Sequence, residues 1–217
     1  MHWIAEFYRS TPGKKFVMAV TGVVLFAYVL LHMVGNLQIH LGPEELRGYV
    51  RLRYAAPGLL WTVRFVLLVA ATLHVIAAVQ LTVRNRGSRP VRYAVRRYRE
   101  ADYASRTMIF TGVAIAAFGV YHLLHMTFGS VHPEFIRSDV YHNVTSGLHV
   151  PPVSLLYVAA SAVLGLHLYH GLWSVFQTLG LSSPIYDSWR RAFATVFSLV
   201  VTLGFGSVPL AVLLRTL

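Results

Sequence analysis

VYHLLHM (120–126) places an ionisable ring deep in an apolar run. LLHMVGN (30–36), TLHVIAA (72–78) and GLHLYHG (165–171) do the same. A polar side chain at bilayer depth is costly and marks a partner or a task. Working outward from these four, the surrounding apolar stretches cover about 16–38, 59–83, 107–129 and 152–178, and a fifth covers 192–214. A membrane span needs roughly 20 apolar residues, and each stretch meets that length. The reading is an all-α membrane protein, a single transmembrane domain over 1–217 with five helices.

Composition agrees. The chain is 56% hydrophobic and 12% charged, too little charge for the surface of a soluble domain of this length. The first apolar stretch follows Gly13-Lys14-Lys15 but is too long for a signal peptide and has no small-residue cleavage site. The net charge of +11 is unevenly spread. Segment 84–106 holds eight arginines against Glu100 and Asp102. Such a patch on a soluble protein would suggest nucleic acid; on a polytopic membrane protein it reads as a cytoplasmic loop obeying the positive-inside rule, with no nucleic-acid partner. Arg9, Lys14, Lys15, this loop, Arg190 and Arg191 share one side. Arg47, Arg51, Arg53, Arg137 and Arg215 fall on the other. The N-terminus is therefore expected in the cytoplasm, the chain being a multi-pass protein of the inner (cytoplasmic) membrane. No internal repeat is read, and 42–58 and 130–151 read as external loops. His132, His142 and His149 in the second read as solvated or interfacial.

Depth sorts the buried histidines. A helix rises about 1.5 Å per residue. His32 lies 17 residues past Lys15 and His122 lies 16 past Arg106, on helices running outward. His74 lies 17 past Pro57 and His167 lies 15 past Pro152, on helices running inward. The four divide into an outer pair, His32 with His122, and an inner pair, His74 with His167. Two stacked bis-histidine haems follow. With no cysteine in the chain, covalent haem attachment and cysteine-ligated clusters are excluded, so the haems would be non-covalent and b-type. Three other chemistries compete. A lone buried histidine can bond a neighbouring helix. Zinc normally recruits cysteine or carboxylate as well. A proton relay usually recruits Asp or Glu, and none lies in these spans. His125 and His170 sit three residues from His122 and His167, on nearly the same helix faces. Either could contact a haem propionate or a quinone, and spacing alone does not settle which of each pair is the ligand.

GKKFVMAVTG, LHMVGNLQIHLGPEELRGY, LHVIAAVQLTVRNRGSRPVRY, SRTMIFTGVAIAAFGVYHLLHMTFG and LHLYHGLWSVFQTLG cover most of 13–180. They resemble the cytochrome b membrane-anchor subunit of succinate dehydrogenase and fumarate reductase, in its single-chain, five-helix, two-haem form. The resemblance implies His32, His74, His122 and His167 as haem-iron ligands, with His125 and His170 outside the ligand set. It implies a flavoprotein and an iron–sulfur subunit docked on the cytoplasmic face, and a higher oligomer of that complex. It implies electrons exchanged with a membrane quinone, menaquinone by expectation, in succinate oxidation or in fumarate reduction. The flavin active site would lie on another chain, so no catalytic residue is expected here. His40 and the Glu45–Arg47 stretch depart from the family pattern. For the quinone, His32, Asn36 and His40 fall at intervals of four on one face, Arg64 enters at comparable height, and Tyr54 lies in the connecting loop. These could hydrogen-bond quinone carbonyls near the outer haem; Asn36 and Arg64 could instead meet propionates. A site near Ser10 and Lys14 at the cytoplasmic end is the other location. The rival readings are a cytochrome b subunit of a hydrogenase or formate dehydrogenase, and a non-redox transporter.

Overall fold

The computed structural model describes residues 2–88, 103–181 and 183–214. Among them there is no strand. The elements in order are α1 (His2–Arg9), α2 (Thr11–Leu37) continued by a 3₁₀ turn to Leu41, α3 (Pro43–Tyr54), α4 (Pro57–Gly87), α5 (Tyr103–Leu123) continued by a π turn (Leu124–Phe128), α6 (Val140–Leu148), α7 (Pro151–Thr178) and α8 (Asp187–Leu213). Five stretches are long and apolar enough to span a bilayer: Thr11–Leu41, Pro57–Gly87, Thr107–Phe128, Pro151–Thr178 and Pro184–Leu213. The chain is an all-helical, multi-pass membrane protein.

The sequence writes most helix ends plainly. Ser10 caps α2, its hydroxyl accepting from the Gly13 amide at 3.0 Å, and Pro12 sits where a missing N–H costs nothing. Prolines open α3, α4 and α7 in the same way. Asp139 caps α6 by accepting from the His142 amide at 3.0 Å. Gly129, at φ 72°, closes the π turn; a Cβ there would collide with the Phe135 ring.

The spans begin earlier than hydropathy suggests. The first starts at Thr11 rather than 16, and the last helix at Asp187 rather than 192, because caps and prolines set helix starts while hydropathy marks only the apolar middle. The two external loops are corrected more substantially. Segment 42–58 is mostly helix α3, so Tyr54 is its last residue and not a loop residue, and 130–151 contains α6. Arg47 on α3 pairs with Asp139 at 3.2 Å and with Glu44 at 3.0 Å, tying α3 to the start of α6 in a cap at one end of the bundle, called the outer cap after the orientation expected from charge. The bond to Glu44, then that to Asp139, raises the Arg47 pKa above its usual value. The His142 amide, then Arg47, holds the Asp139 carboxyl below its own.

α7 packs along α8, α2 along α4, and α5 along α7. Gly165 lets α7 and α8 close up, since a Cβ there would strike Thr202. One apolar cluster, Met33, Leu168 and Val201, lies mid-bundle. A second, Ile39, Leu46, Leu148, Val208 and Val212, lies under the outer cap. Large apolar side chains such as Phe65, Phe110 and Leu203 remain exposed on the outside, as a lipid-facing surface requires. Arg84 reaches back to the Arg9 carbonyl (3.1 Å) and to Thr11 (3.0 Å). The N-terminal lead-in and the start of the arginine-rich segment therefore share one end of the bundle. The rest of that segment, including Arg89, Arg92, Arg96, Arg97 and Arg99, lies outside the described residues, as does Arg215.

Candidate functional site

The pairs expected from depth meet. The His74 and His167 ring centroids lie 6.5 Å apart, and those of His32 and His122 lie 5.7 Å apart. A metal–imidazole bond of about 2.0 Å, plus about 1.1 Å from nitrogen to ring centre, would put two imidazoles on opposite sides of one metal roughly 6.2 Å apart. Both pairs are close to that spacing, and a haem iron asks the protein for two ligands and no more.

The hydrogen bonds assign the tautomers of the inner pair. His74 Nδ1 lies 3.1 Å from the Met18 carbonyl and 3.2 Å from Thr21 Oγ1. A carbonyl only accepts, so Nδ1 carries the proton and Nε2 keeps its lone pair. His167 Nδ1 lies 3.2 Å from Thr111 Oγ1. That hydroxyl is already committed to the Thr107 and Met108 carbonyls (3.2 and 3.0 Å), so it accepts from Nδ1–H, and His167 too keeps its Nε2 lone pair. This is the orientation device of metal-bound histidine, one nitrogen tied back and the other presented. Thr21 and Thr111 are both buried. Neither was singled out in the sequence, where a threonine in an apolar helix looks like filler.

The outer pair is held differently. His122 Nδ1 and His125 Nδ1 share the Tyr157 hydroxyl, at 3.2 and 2.9 Å. The Asn36 amide, fixed by its bond to the His32 carbonyl (2.8 Å), approaches His32 Nε2 at 3.3 Å. Tyr28 stacks on His32 (5.5 Å, 8°), and Phe118 lies beside His122 (5.9 Å, 31°).

An internal repeat underlies both pairs, correcting the expectation of none. Thr21-Gly22-Val23 recurs as Thr111-Gly112-Val113, and in each copy a histidine follows eleven residues after the threonine, His32 and His122. The aromatic four residues before that histidine recurs as well, as Tyr28 and Phe118. Gly22 faces His74 and Gly112 faces His167, as a Cβ on either would show (3.3 and 3.7 Å from Cε1). Four of the five spans thus form two hairpins, α2 with α4 and α5 with α7, each giving one histidine to each level, while α8 packs along α7 outside the repeat. At eleven residues the levels are roughly 16 Å apart along the helix. The repeat also bears on the extra histidines. In its register His125 aligns with Gly35, and His170, counted from His167, aligns with Ala77. Only His32, His122, His74 and His167 have histidine in both copies.

His125 is 2% exposed, stacked on Tyr121 and 4.8 Å from the His132 ring. His170 is half-buried beside Trp173. His132 is not solvated as expected: it is buried, bonded to Ser146 at 3.1 Å, and burial lowers its pKa. The loop histidines differ because α6 folds back over the π turn. His142 is half-buried on the Glu134 carbonyl (3.0 Å), and His149 is exposed. Among the expected quinone contacts, Asn36 sits on His32, His40 bonds Ser207 at 2.9 Å, Arg64 lies over Trp61 at 4.9 Å, and Tyr54 is exposed at the end of α3. At the other end Ser10 is committed as a helix cap, and Lys14 bonds the Tyr8 carbonyl at 2.8 Å.

The model of the succinate dehydrogenase/fumarate reductase transmembrane subunit family matches residues 83–206. The chain belongs to that family. It is therefore a membrane subunit of the succinate dehydrogenase/fumarate reductase type, which decides against the hydrogenase, formate dehydrogenase and transporter readings. No curated protein and no solved structure matches it.

Proposed function

We propose that this chain is the di-haem cytochrome b anchor of a succinate:quinone oxidoreductase. His74 and His167 hold an inner b-type haem, and His32 and His122 an outer one. The observation that carries this is the pair of histidine couples at two levels, the inner couple with both Nδ1 protons tied back and both Nε2 lone pairs presented. Bound there, the haems supply one-electron transfer across the bilayer. The chain's own part is to orient the imidazoles through Thr21, Met18, Thr111 and Tyr157, and to exclude water with the packed helix faces around them. The soluble partners are a flavoprotein and an iron–sulfur subunit at the cytoplasmic end, where Arg84 lies at the start of the basic segment. Quinone exchange belongs at the outer end. There Tyr157, His125, His132 and Ser146 join Asn36 and His40 as hydrogen-bonding groups.

A haem extraction assay and a reduced-minus-oxidised spectrum of the purified chain test this. Two acid–acetone-extractable protohaems are expected, with co-purification of a flavin-bearing subunit. A single haem, or none, overturns it.

A further inference from the structure

Arg190 is 4% exposed, yet among the described residues only its Nη2 is matched, by Asp187, and Nε and Nη1 meet no partner. A guanidinium does not shed its charge, and burying its N–H groups unmatched is costly unless an anion meets them. Asp187 is shared with Arg191, whose Nε lies 3.3 Å away. One carboxylate thus faces two guanidiniums, and the site keeps a net positive charge.

Arg190 lines a cavity of about 390 Å³ between the end of α7 and the start of α8, walled by Phe176, Leu181, Tyr186 and Trp189. The last three of these are exposed, and Trp189 stacks on Phe193 (5.6 Å, 16°). From there Val196, Val200 and Leu203 continue on one exposed face of α8. The track from 189 to 203 is roughly 21 Å long, and it starts at the aromatic level typical of a membrane interface.

We propose that this cavity binds the phosphate of an anionic phospholipid, with Arg190 on the headgroup and an acyl chain along the Trp189–Leu203 track. A basic pocket between helices at the membrane surface suits such a headgroup. A partner's carboxylate or a free phosphate would satisfy Arg190 but make no use of the apolar track, and the track decides for lipid.

The test uses the full chain, with whatever subunits co-purify, in neutral detergent and in nanodiscs. Native mass spectrometry is expected to show one retained phosphatidylglycerol. Exchange in nanodiscs should show at least about a tenfold preference over phosphatidylcholine, the ratio one charge-assisted hydrogen bond supplies. Arg190→Gln should abolish the preference, and Arg191→Gln should keep it. Should Arg190→Gln not fold, the wild type still decides. Phosphatidylglycerol with brominated chains should quench tryptophan fluorescence more than brominated phosphatidylcholine, and Trp189→Phe should remove the difference. Absence of any headgroup preference overturns the proposal. So does displacement of the lipid by millimolar inorganic phosphate, or an Arg190→Gln chain that keeps its lipid but loses its soluble partners.

Discussion

Thr111→Val removes one oxygen and leaves the shape of the α5–α7 interface nearly intact. His167 Nδ1–H would lose its partner, since among the described residues Thr111 Oγ1 at 3.2 Å is its one hydrogen-bond partner. A buried donor left unmatched costs about 2 kcal/mol, or roughly thirtyfold in retention of the inner haem. Thr21→Val is the internal control. His74 Nδ1 keeps the Met18 carbonyl at 3.1 Å, so the loss there should stay under about 0.5 kcal/mol, near twofold. The rate of haem transfer from each variant to an excess of a haem-scavenging protein, followed at the Soret band, gives both numbers. Equal effects of the two substitutions would refute the tautomer argument. So would a loss confined to the outer haem.

Single alanine variants should separate the levels: His74 or His167 loses the inner haem and His32 or His122 the outer, while His125→Ala and His170→Ala retain both, as a pyridine haemochrome count would show. Tyr157→Phe should shift the midpoint potential of the outer haem and leave the inner one in place, measured by redox titration. His132 is buried with a lowered pKa, so the folded cap binds that proton less readily than the unfolded chain. The stability it confers is present above the ordinary histidine value of 6.5 and falls as pH drops below it. Protection against hydrogen exchange across 130–148, taken relative to the intrinsic rate at each pH, should fall between about pH 7 and 5, and His132→Gln should flatten the response. His125, His142 and Glu134 modulate the same group and are the controls. Asp139, with its depressed pKa, contributes above the ordinary carboxylate value of 3.8; the Arg47 link should give way only in stronger acid, and Asp139→Asn should remove that acid step.

The spans and the pairing of histidines were legible because both follow from one-dimensional quantities, the length of apolar runs and the rise of a helix. The outer cap was not. α3 and α6 are short and polar, so hydropathy hides them, and their placement depends on the Arg47–Asp139 contact across 92 residues. Burial of His132 was equally hidden, since it depends on α6 folding over the π turn. Thr21 and Thr111 carried a signal that went unread: TGV followed by histidine at a fixed interval occurs twice. The apolar residues between these positions do not match, so the correspondence shows only once the threonines are seen on the rings they orient.

Each pair of histidines takes one ring from each hairpin, so on the proposed ligand set neither haem site would be complete until both hairpins are in the membrane. During synthesis α2 and α4 would emerge first, carrying half of each site. Cofactor insertion then acts as an inspection of assembly: it rivets the two hairpins at two heights, and a chain whose second hairpin is truncated or misinserted has nothing with which to close either rivet. Without haem the two hairpins would keep only their apolar seam, the packing of Met33 against Leu168 and Val201 at mid-bundle.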